Sequence, residues 1–589
     1  MKIKHILKKF GGKTNLSFFL ILFLLALILS RTLFTDRLFR TDDLELHGAR
    51  VANYYLALKQ GQLPVYWAPN LHDGFGYPIF HFMYPLPYVV SSFFYAAGFS
   101  IELSINLFIL FAILSGGLGL YLYALIKTKK PFHSLVASLI YLTAPYTLIN
   151  IFVRGSLGEI AFFATLPWIF VLIALRKNSI KLWYQILAVV VFSSFLLSHQ
   201  ISLLIAIPII LIWLLMINFQ TELKKKLKEK YIQKFIFLSI ISILICQFFY
   251  LPFLLEKQYT VISGHHINEN YVNRFSNFKK LLSLKWGYGG LDIDQKEDMF
   301  PTNLGLSSLL IITTSLYVLK TNYKKNFKLL IFWLSIYFAA ILLMLPITKY
   351  IWKFSQILPY LQYPWRLLWV TVFASCMIFI HLSKSNLLSK KTIQYLSILL
   401  LLVSLHHIIF FAKPIGYIQN SDHAWHEYPG TSTSENEHRP KKFDTLKNSK
   451  LLEKLTAKPI DKLYFNEDET INEVGEFNIL SWTGSAMTYQ INTDKDALII
   501  QKTAYFPGWQ AWVDDKKVDI KYEDSEFTGR ILIPVKAGQH TITVKFTNQT
   551  FAKQTGIILS LLGFLLWLLL LLPHLAGFIE SLIAKGRST

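Results

Sequence analysis

The chain has 589 residues, of which 53% are hydrophobic, 15% aromatic and only 16% charged, with a mean hydropathy of +0.41 and a formal charge of +23. An average soluble domain carries roughly 25% charged residues, so this composition excludes a soluble enzyme. Most lysines lie in short segments between long apolar runs, which indicates membrane orientation and predicts no nucleic-acid partner. The two cysteines lie inside apolar runs and provide neither a disulfide framework nor a cysteine zinc site.

The N-terminal segment predicts a retained signal anchor. Five lysines within residues 1–13 precede the apolar run Asn15 to Ser30, and no small-residue cleavage site follows it. A helix needs roughly 20 apolar residues to cross a bilayer. Further runs of about this length lie at 104–126, 132–153, 157–175, 182–198, 200–218, 235–254, 303–319, 329–346, 367–383, 393–412 and 555–572. The sequence therefore predicts about twelve transmembrane helices.

Basic residues between these runs predict the topology. If the runs alternate from a cytoplasmic N-terminus, the basic clusters between them fall inside, at 127–130, 176–177, 224–234, 320–328, 384–391 and 585–587. The apolar segment 79–98 then cannot be a full span, because a span there would invert every later loop. Pro85 and Pro87 interrupt helical hydrogen bonding, so a re-entrant or membrane-surface hairpin is preferred, with a thirteenth span as the main alternative.

This topology divides the chain into seven segments. They are a cytoplasmic N-terminus with the first span (1–30), a first external loop with membrane-surface helices (31–103), six further spans (104–254), a second external loop (255–302), additional spans (303–412), an external β-rich domain (413–554), and a last span with a cytoplasmic tail (555–589).

The β-rich domain shows clear strand patterns. Residues 540–547 alternate with period two, and Val513 to Val518 has the pattern of a hairpin. An antiparallel β-sandwich outside the membrane is expected. Three roles fit the side chains of Trp509 and Trp512: they form part of the domain core, they form part of a lid, or they contact an acceptor substrate.

The first external loop begins with a predicted amphipathic helix on the membrane surface, with apolar residues at positions 44, 51, 55 and 58. Asp42 and Glu45 have the spacing of a capping box. Asp43, His47 and Arg50 fall along one side of this helix, where an ordinary solvated ion pair is the alternative to a functional site.

Further ionisable residues lie at the predicted outer ends of spans. Arg154, Glu159, His199 and Arg366 come from three different regions, and together they suggest a polar cavity at the membrane boundary. Each one alone is also explained by anchoring at the interface. Arginine suits phosphate through its bidentate fork, so Arg154 and Arg366 are candidates for binding a lipid phosphate. Asp73 lies in a glycine-rich turn and is a candidate for contacting substrate.

Several short stretches resemble a known family. Residues 61–67, 73–78 and 84–88, together with Arg154-Gly155 and 363–366, resemble the bacterial membrane proteins called 6-pyruvoyl-tetrahydropterin synthase-related. Residues 506–509 and 537–540 resemble the C-terminal domain of YfhO-like membrane proteins. The three-histidine zinc site of a pterin synthase has no counterpart in the spacing of the histidines, so pterin synthase activity is not expected.

The resemblance implies the GT-C glycosyltransferase architecture, with an acid in the first external loop and a polyprenyl-phosphate sugar as donor. The implied fold is an α-helical polytopic membrane protein with a C-terminal extracytoplasmic β-sandwich and a final transmembrane helix. The implied site has Asp43, Asp42 and His47 as catalytic residues, and its substrate-binding residues are Arg50, Asp73, Arg154, Glu159, His199 and Arg366. Asp43 and Glu45 are alternative ligands for Mg²⁺ or Mn²⁺, and no cofactor is certain.

The resemblance also implies a location and partners. The protein is expected in the plasma membrane, acting on the extracytoplasmic face in cell-envelope glycan assembly, with the bilayer, a lipid-linked sugar and a glycan or protein acceptor as partners. A lipid-linked glycan transporter and a noncatalytic scaffold with a carbohydrate-binding domain are the alternatives. A transporter is expected to carry ionisable residues near mid-span or broken helices in matching halves.

Overall fold

The computed structural model describes residues 12–218, 229–263, 271–287, 301–321, 327–385, 387–433, 436–445, 464–467, 470–472, 477–494, 496–523 and 527–586. The basic residues expected inside at 1–11, 224–228, 322–326 and 587, and parts of the second external loop, lie outside the described residues.

Most of the described chain is helical. The helices are α1 Gly12–Leu29, α2 Leu44–Lys59, α3 Leu86–Ala96, α4 Ile101–Thr128, α5 Pro131–Thr143, α6 Pro145–Ile149, α7 Leu157–Leu175, α8 Leu182–Leu196, α9 Gln200–Asn218, α10 Lys230–Ile245, α11 Gln247–Glu256, α12 Phe278–Leu282, α13 Leu306–Thr321, α14 Lys328–Leu343, α15 Lys349–Phe354, α16 Leu368–Lys384, α17 Lys390–Phe410, α18 Asp422–His426 and α19 Phe551–Gly586.

Within these described residues, six helices are long and apolar enough to cross a membrane, and up to nine spans result if each of three bent helix pairs counts as one. The protein is therefore a multi-pass membrane protein. Each of the twelve predicted runs contains helix, including three shorter apolar helices at Asn15–Leu29, Leu182–Leu196 and Leu306–Thr321. The number twelve stays a prediction.

Two of the three bends follow from proline. Helix α5 ends before Pro145, and the chain turns by 47° into the next helical segment. A break of 83° precedes Pro346 after α14. Proline removes a backbone donor and disfavours helical geometry in the residue before it, so the run of hydrogen bonds stops there.

The segment 79–98 contains a 3₁₀ turn at Ile79–His81 and the eleven-residue helix α3. A helix of this length rises roughly 16 Å, about half of the hydrocarbon thickness. Pro85 and Leu86-Pro87 lie at its start, where proline costs no helical hydrogen bond. This geometry favours the membrane-surface interpretation over a thirteenth span.

Helix α2 differs from its prediction as a surface helix, because most of its residues are buried on more than one side. It packs against α3 and against α18, whose Trp425 ring covers Gly48 so closely that an added Cβ would lie 2.7 Å from it. The Trp425 indole in turn donates to Glu102 at 2.9 Å. The hydrophobic period of α2 could not reveal a covering segment more than 370 residues away in sequence.

The C-terminal region is β-rich, as predicted. Its strands are numbered after the small pair β1 Leu38–Phe39 and β2 Tyr417–Ile418, and they are β3 Tyr464–Glu467, β4 Thr470–Asn472, β5 Phe477–Thr483, β6 Ala486–Thr493, β7 Ala497–Ala504, β8 Trp509–Val513, β9 Lys516–Val518, β10 Arg530–Val535 and β11 Gly538–Phe546. Antiparallel pairing gives one sheet of order β10-β7-β3-β4 and a second of order β5-β6-β11-β8-β9. The predicted hairpin is confirmed by the pairing of Val513 with Lys516.

The two sheets enclose an apolar core that also includes residues of the first long loop, 31–103. Trp67 of that loop packs edge-on against Trp509, with ring centroids 5.5 Å apart, and stacks on Phe546 at 5.4 Å. Trp509 is 4% exposed and so belongs to the folding core. The β-rich region and the first loop therefore fold against each other.

A buried ion-pair group joins this core to the membrane helices. His81 Nε2 lies 2.9 Å from Glu256 Oε2, and Lys553 Nζ lies 3.8 Å from the same oxygen. The Lys553 ammonium also donates to the Pro507 carbonyl at 2.7 Å. The group thus connects the first loop, the end of α11, the β-rich region and the start of α19.

We expect Glu256→Ala to destabilise the protein by roughly 3–5 kcal/mol, because it leaves Lys553 and His81 buried without their carboxylate. The apparent melting temperature in detergent measures this loss. The exposed pair Lys536–Asp496, with N and O 2.6 Å apart, provides the control: Asp496→Ala should leave the melting temperature almost unchanged, because solvent screens an exposed pair. Equal losses in the two variants would contradict this role of the buried group.

Candidate functional site

The start of α2 is held by backbone bonds to the segment before α7. The Asp42 and Asp43 amides donate to the carbonyls of Val153 and Arg154 at 3.1 and 2.8 Å. Asp43 occupies the N-cap position without a side-chain cap bond, while the Thr41 hydroxyl accepts from the Leu44 amide at 3.1 Å. The predicted capping box of Asp42 and Glu45 is therefore wrong. Because Thr41 receives the helix amide, the Asp43 carboxylate is available for other interactions.

Glu159, in the first turn of α7, forms ion pairs with two arginines of the predicted site. Its Oε1 lies 2.6 Å from Arg154 Nη1 and 3.5 Å from Arg366 Nε. Its Oε2 accepts from the Tyr146 hydroxyl at 2.6 Å. Arg154 also donates to the Asn150 side chain at 2.5 Å. The Glu159 carboxylate is thus occupied as a positioning group for the arginines.

Aromatic rings cover both guanidinium groups. Arg154 lies over the Trp365 ring at 4.9 Å, and Arg366 lies over the Tyr363 ring at 5.0 Å. The Arg154 and Glu159 side chains are 4% and 1% exposed, whereas that of Arg366 is 11% exposed. Arg366 is therefore the more accessible of the two cations.

A second group lies along α2. His47 Nδ1 is 2.9 Å from the Tyr88 hydroxyl, to which Arg50 also donates at 3.3 Å. Arg50 Nε donates to the Ser432 hydroxyl at 3.2 Å, and another of its N–H groups donates to the Ser432 carbonyl. Tyr84 stacks on Tyr88 with centroids 5.9 Å apart. Helix α3 and the segment around 432 thus fix the polar side of α2.

The Asp43 carboxylate interacts electrostatically with Arg154, Arg50 and Arg366. Burial raises the pKa of Asp43 above 3.8, although these cations oppose the shift. Burial, helped by Arg50, holds the pKa of His47 well below 6.5, so this imidazole is neutral near pH 7. Three guanidinium groups then face the carboxylates of Asp43 and Glu159, which leaves a net charge of +1.

The remaining predicted residues divide between this cluster and other positions. His199 joins it: the ring is 4% exposed, packs 5.4 Å from the Tyr84 ring and pairs through Nδ1 with Ser202 at 2.8 Å. Asp42 is exposed beside the cluster. Asp73 does not join it, because its carboxylate is exposed and interacts with Lys502 of the β-rich region.

The residues around Asp43 do not suit a divalent cation. Glu45 is exposed, and the charged neighbours of Asp43 include three arginines, which repel a metal ion. Among the described ranges, groups of three or more His, Cys, Asp or Glu arranged to hold a metal are absent. The charges around Asp43 therefore disfavour the Mg²⁺ or Mn²⁺ site that the sequence suggested at Asp43 and Glu45.

Several members of the cluster had no role in the sequence interpretation. These are Tyr84, Tyr88, Tyr146, Asn150 and Ser432. The i, i+4 spacing of Tyr84 and Tyr88 around two prolines is a local signal that could have indicated their shared face. Ser432 carries no such signal, because it reaches Arg50 from a distant irregular segment.

Gly155 determines how closely α2 approaches this cluster. Its φ is +69°, and a Cβ at this position would lie 2.4 Å from Thr41 Oγ1 and 2.5 Å from Leu44 Cγ. We expect Gly155→Ala to push the start of α2 away and to weaken the hydrogen bond from the Asp43 amide to the Arg154 carbonyl. Amide exchange at Asp42 and Asp43 should accelerate at least about tenfold, equal to about 1.4 kcal/mol of lost protection.

Gly98→Ala is the matched control, since Gly98 also has a positive φ, +98°, and among the described residues nothing lies within 4 Å of a Cβ there. Unchanged exchange in Gly155→Ala would show that this backbone contact does not hold the first turn of α2.

Comparison with known proteins gives two family matches. The model described as "6-pyruvoyl-tetrahydropterin synthase related domain; membrane protein" matches residues 80–415, more than half of the chain. The model described as "Bacterial membrane protein YfhO" matches residues 467–560. Among curated proteins, none matches.

Among solved structures, the chain is similar to the arabinofuranosyltransferase AftD from Mycobacteria. The identity is 14% and the TM-score 0.41 over 68% of this chain, and the match covers 27% of the AftD chain.

Proposed function

The chain belongs to the 6-pyruvoyl-tetrahydropterin synthase related family of membrane proteins, and from this premise we propose that it is an integral membrane glycosyltransferase. The proposed donor is a polyprenyl-phosphate-linked sugar, and the acceptor is a glycan or protein of the cell envelope. One observation carries the proposal: the carboxylate of Asp43, which is largely buried, interacts electrostatically with the guanidinium groups of Arg50, Arg154 and Arg366. The pterin part of the family description is not proposed as an activity.

The arginines supply the phosphate-binding part of this site. Guanidinium groups bind phosphate oxygens through charge-assisted pairs of hydrogen bonds. Arg366 is the partly exposed cation, while the more deeply buried Arg154, which pairs with the same Glu159 carboxylate, adds a second positive charge. The net charge of +1 favours an anionic headgroup. As the bond to the sugar breaks, the phosphate gains negative charge, which these preorganised cations stabilise.

Asp43 supplies the base. An acceptor hydroxyl gives its proton to Asp43 while its oxygen attacks the anomeric carbon, and the bond from that carbon to the phosphate oxygen breaks with its electron pair on the phosphate. The proton ends on Asp43 and the charge on the lipid phosphate. A single displacement of this kind inverts the anomeric centre. His47 is a positioning group here, because its neutral ring pairs with Tyr88.

The site is proposed to face away from the cytoplasm at the plasma membrane. The basic loops between spans support this orientation, since lysine and arginine concentrate on the cytoplasmic side. Asp43 lies in the loop after α1, on the side opposite to those basic segments in the alternating arrangement. The β-rich region packs against this same loop and is proposed to lie outside as well.

Asp43→Asn tests the proposed base. The purified chain in lipid nanodiscs receives synthetic polyprenyl-phosphate sugars and oligosaccharide acceptors, and mass spectrometry measures the product. We expect wild-type turnover and a loss of roughly 10²–10⁴-fold in Asp43→Asn. Asp42→Asn is the matched control, because this neighbouring carboxylate is exposed, and it should retain activity within about threefold.

Absence of transfer by the wild-type chain with every donor would overturn the enzymatic proposal and favour a scaffold. Full activity of Asp43→Asn would remove Asp43 from the mechanism while leaving the transferase assignment in place.

The pH dependence offers a second test. The carboxyl of Asp43 must be ionised to accept a proton, so kcat/KM should fall as pH decreases through its pKa. Because burial raises this pKa above 3.8, the acidic limb of the pH profile of kcat/KM should lie at higher pH than it would for an exposed aspartate. Arg50→Gln removes a cation that stabilises the ionised form, and the limb should move to still higher pH. A limb that moves to lower pH in this variant would contradict the assignment.

A further inference from the structure

A cleft of about 350 Å³ separates the far end of α2 from the β-rich region. Leu56, Gln60 and Asn70 contribute to one wall, and Trp482 and Lys502 contribute to the other. We call this space the α2–β5 cleft. Its volume falls in the usual range for small-molecule sites, roughly 300–1,000 Å³. It is distinct from the Asp43 cluster, since the helix rises about 25 Å between Asp43 and Gln60.

The lining combines one exposed aromatic ring and one buried ring, Phe75, with several hydrogen-bonding groups. Trp482, on β5, is 43% exposed. Asn70, Gln60, Thr483 and Thr503 line the cleft with amide and hydroxyl groups. Some of these already have partners in the protein: the Asn70 side chain donates to Glu427, and the Thr483 hydroxyl bonds to the Ala486 backbone. Asp73 precedes the lining residue Gly74 in sequence, and its carboxylate interacts electrostatically with the lining residue Lys502. The lining is mixed, because apolar residues, among them Leu56, Met487 and Ile500, lie beside these polar ones.

The walls of the cleft are fixed by bonds between the two regions. The Ala504 amide donates to the Phe75 carbonyl at 2.8 Å, so the loop and β7 are joined beside the cleft. The Ser485 hydroxyl donates to the Gln60 side chain at 2.8 Å. Within the first wall, the Asn53 side chain of α2 accepts from the Asn70 amide at 2.9 Å. The cleft is therefore preorganised, which reduces the entropic cost of binding.

We propose that the α2–β5 cleft binds a neutral oligosaccharide, with Trp482 as its stacking surface. The apolar C–H face of a sugar ring packs on an indole, and its hydroxyls pair with amide, hydroxyl and carboxylate groups of the type found here. This site is separate from the proposed transfer reaction, and it holds a saccharide whether or not Asp43 is catalytic. Asp73, which the sequence placed with the substrate-binding residues, directly precedes the lining residue Gly74 of this cleft.

The test is calorimetric titration of the full chain in nanodiscs with malto-, cello-, manno- and arabino-oligosaccharides of two to six units. We expect at least one of these series to bind. Trp482→Ala should weaken that binding roughly tenfold, and Trp482→Phe, which keeps a flat ring, should recover most of it. Asp43→Asn should bind as the wild-type chain does, which separates this site from the transferase proposal.

Trp512→Ala is the matched control, because Trp512 is a partly exposed indole of the same sheet that does not line the cleft. Its affinity should stay within about twofold of wild type. Absence of binding by every series, or equal affinities of Trp482→Ala and Trp512→Ala, would overturn the proposal.

Discussion

A carboxylate buried among apolar helices must be neutralised where it lies, and for Glu159 this requirement organises one end of the helical region. Isolated charges cost several kcal/mol in such surroundings. Arg154 and Arg366 meet the requirement at 2.6 and 3.5 Å. Because Arg154 precedes α7 and Arg366 precedes α16, one acid fixes two distant chain segments. The guanidinium groups are held in place instead of extending to solvent, and Asp43 lies within their field.

The parts outside the helices are joined to them by buried polar contacts as well as by apolar packing. Arg50 of α2 bonds to Ser432 across 382 positions of sequence. Glu256 pairs with His81 and Lys553, so the β-rich region cannot shift against the helices without exposing buried charge. The first loop contributes Trp67 to the sandwich core. The matches to two family models, at 80–415 and 467–560, therefore fall on regions that contact each other extensively in this chain.

Sequence reasoning located the elements far better than their contacts. Apolar runs and strand alternation depend on local composition, so α7, α9 and the hairpin at 513–518 lie where they were predicted. Local patterns also placed Arg154 and Glu159 in the same predicted polar cavity. They could not show that Thr41 would cap α2 or that α18 would cover it, because both results depend on distant chain segments. They also could not show that Asp73 lies apart from the Asp43 cluster, because its neighbour Lys502 is more than 400 positions away.

The rigidity of the Asp43 cluster bears on the choice between enzyme and transporter. Alternating access requires a binding site whose walls separate and close again. Here each predicted cation is held by several partners: Arg154 by Glu159, Asn150 and a ring, and Arg50 by Ser432 and Tyr88. Opening such a site would break many charge-assisted bonds in a weakly solvated region. A fixed array of positive groups instead stabilises charge that develops on a leaving phosphate without reorganisation cost. We therefore infer that this geometry suits transfer at a stationary site better than transport through a moving one.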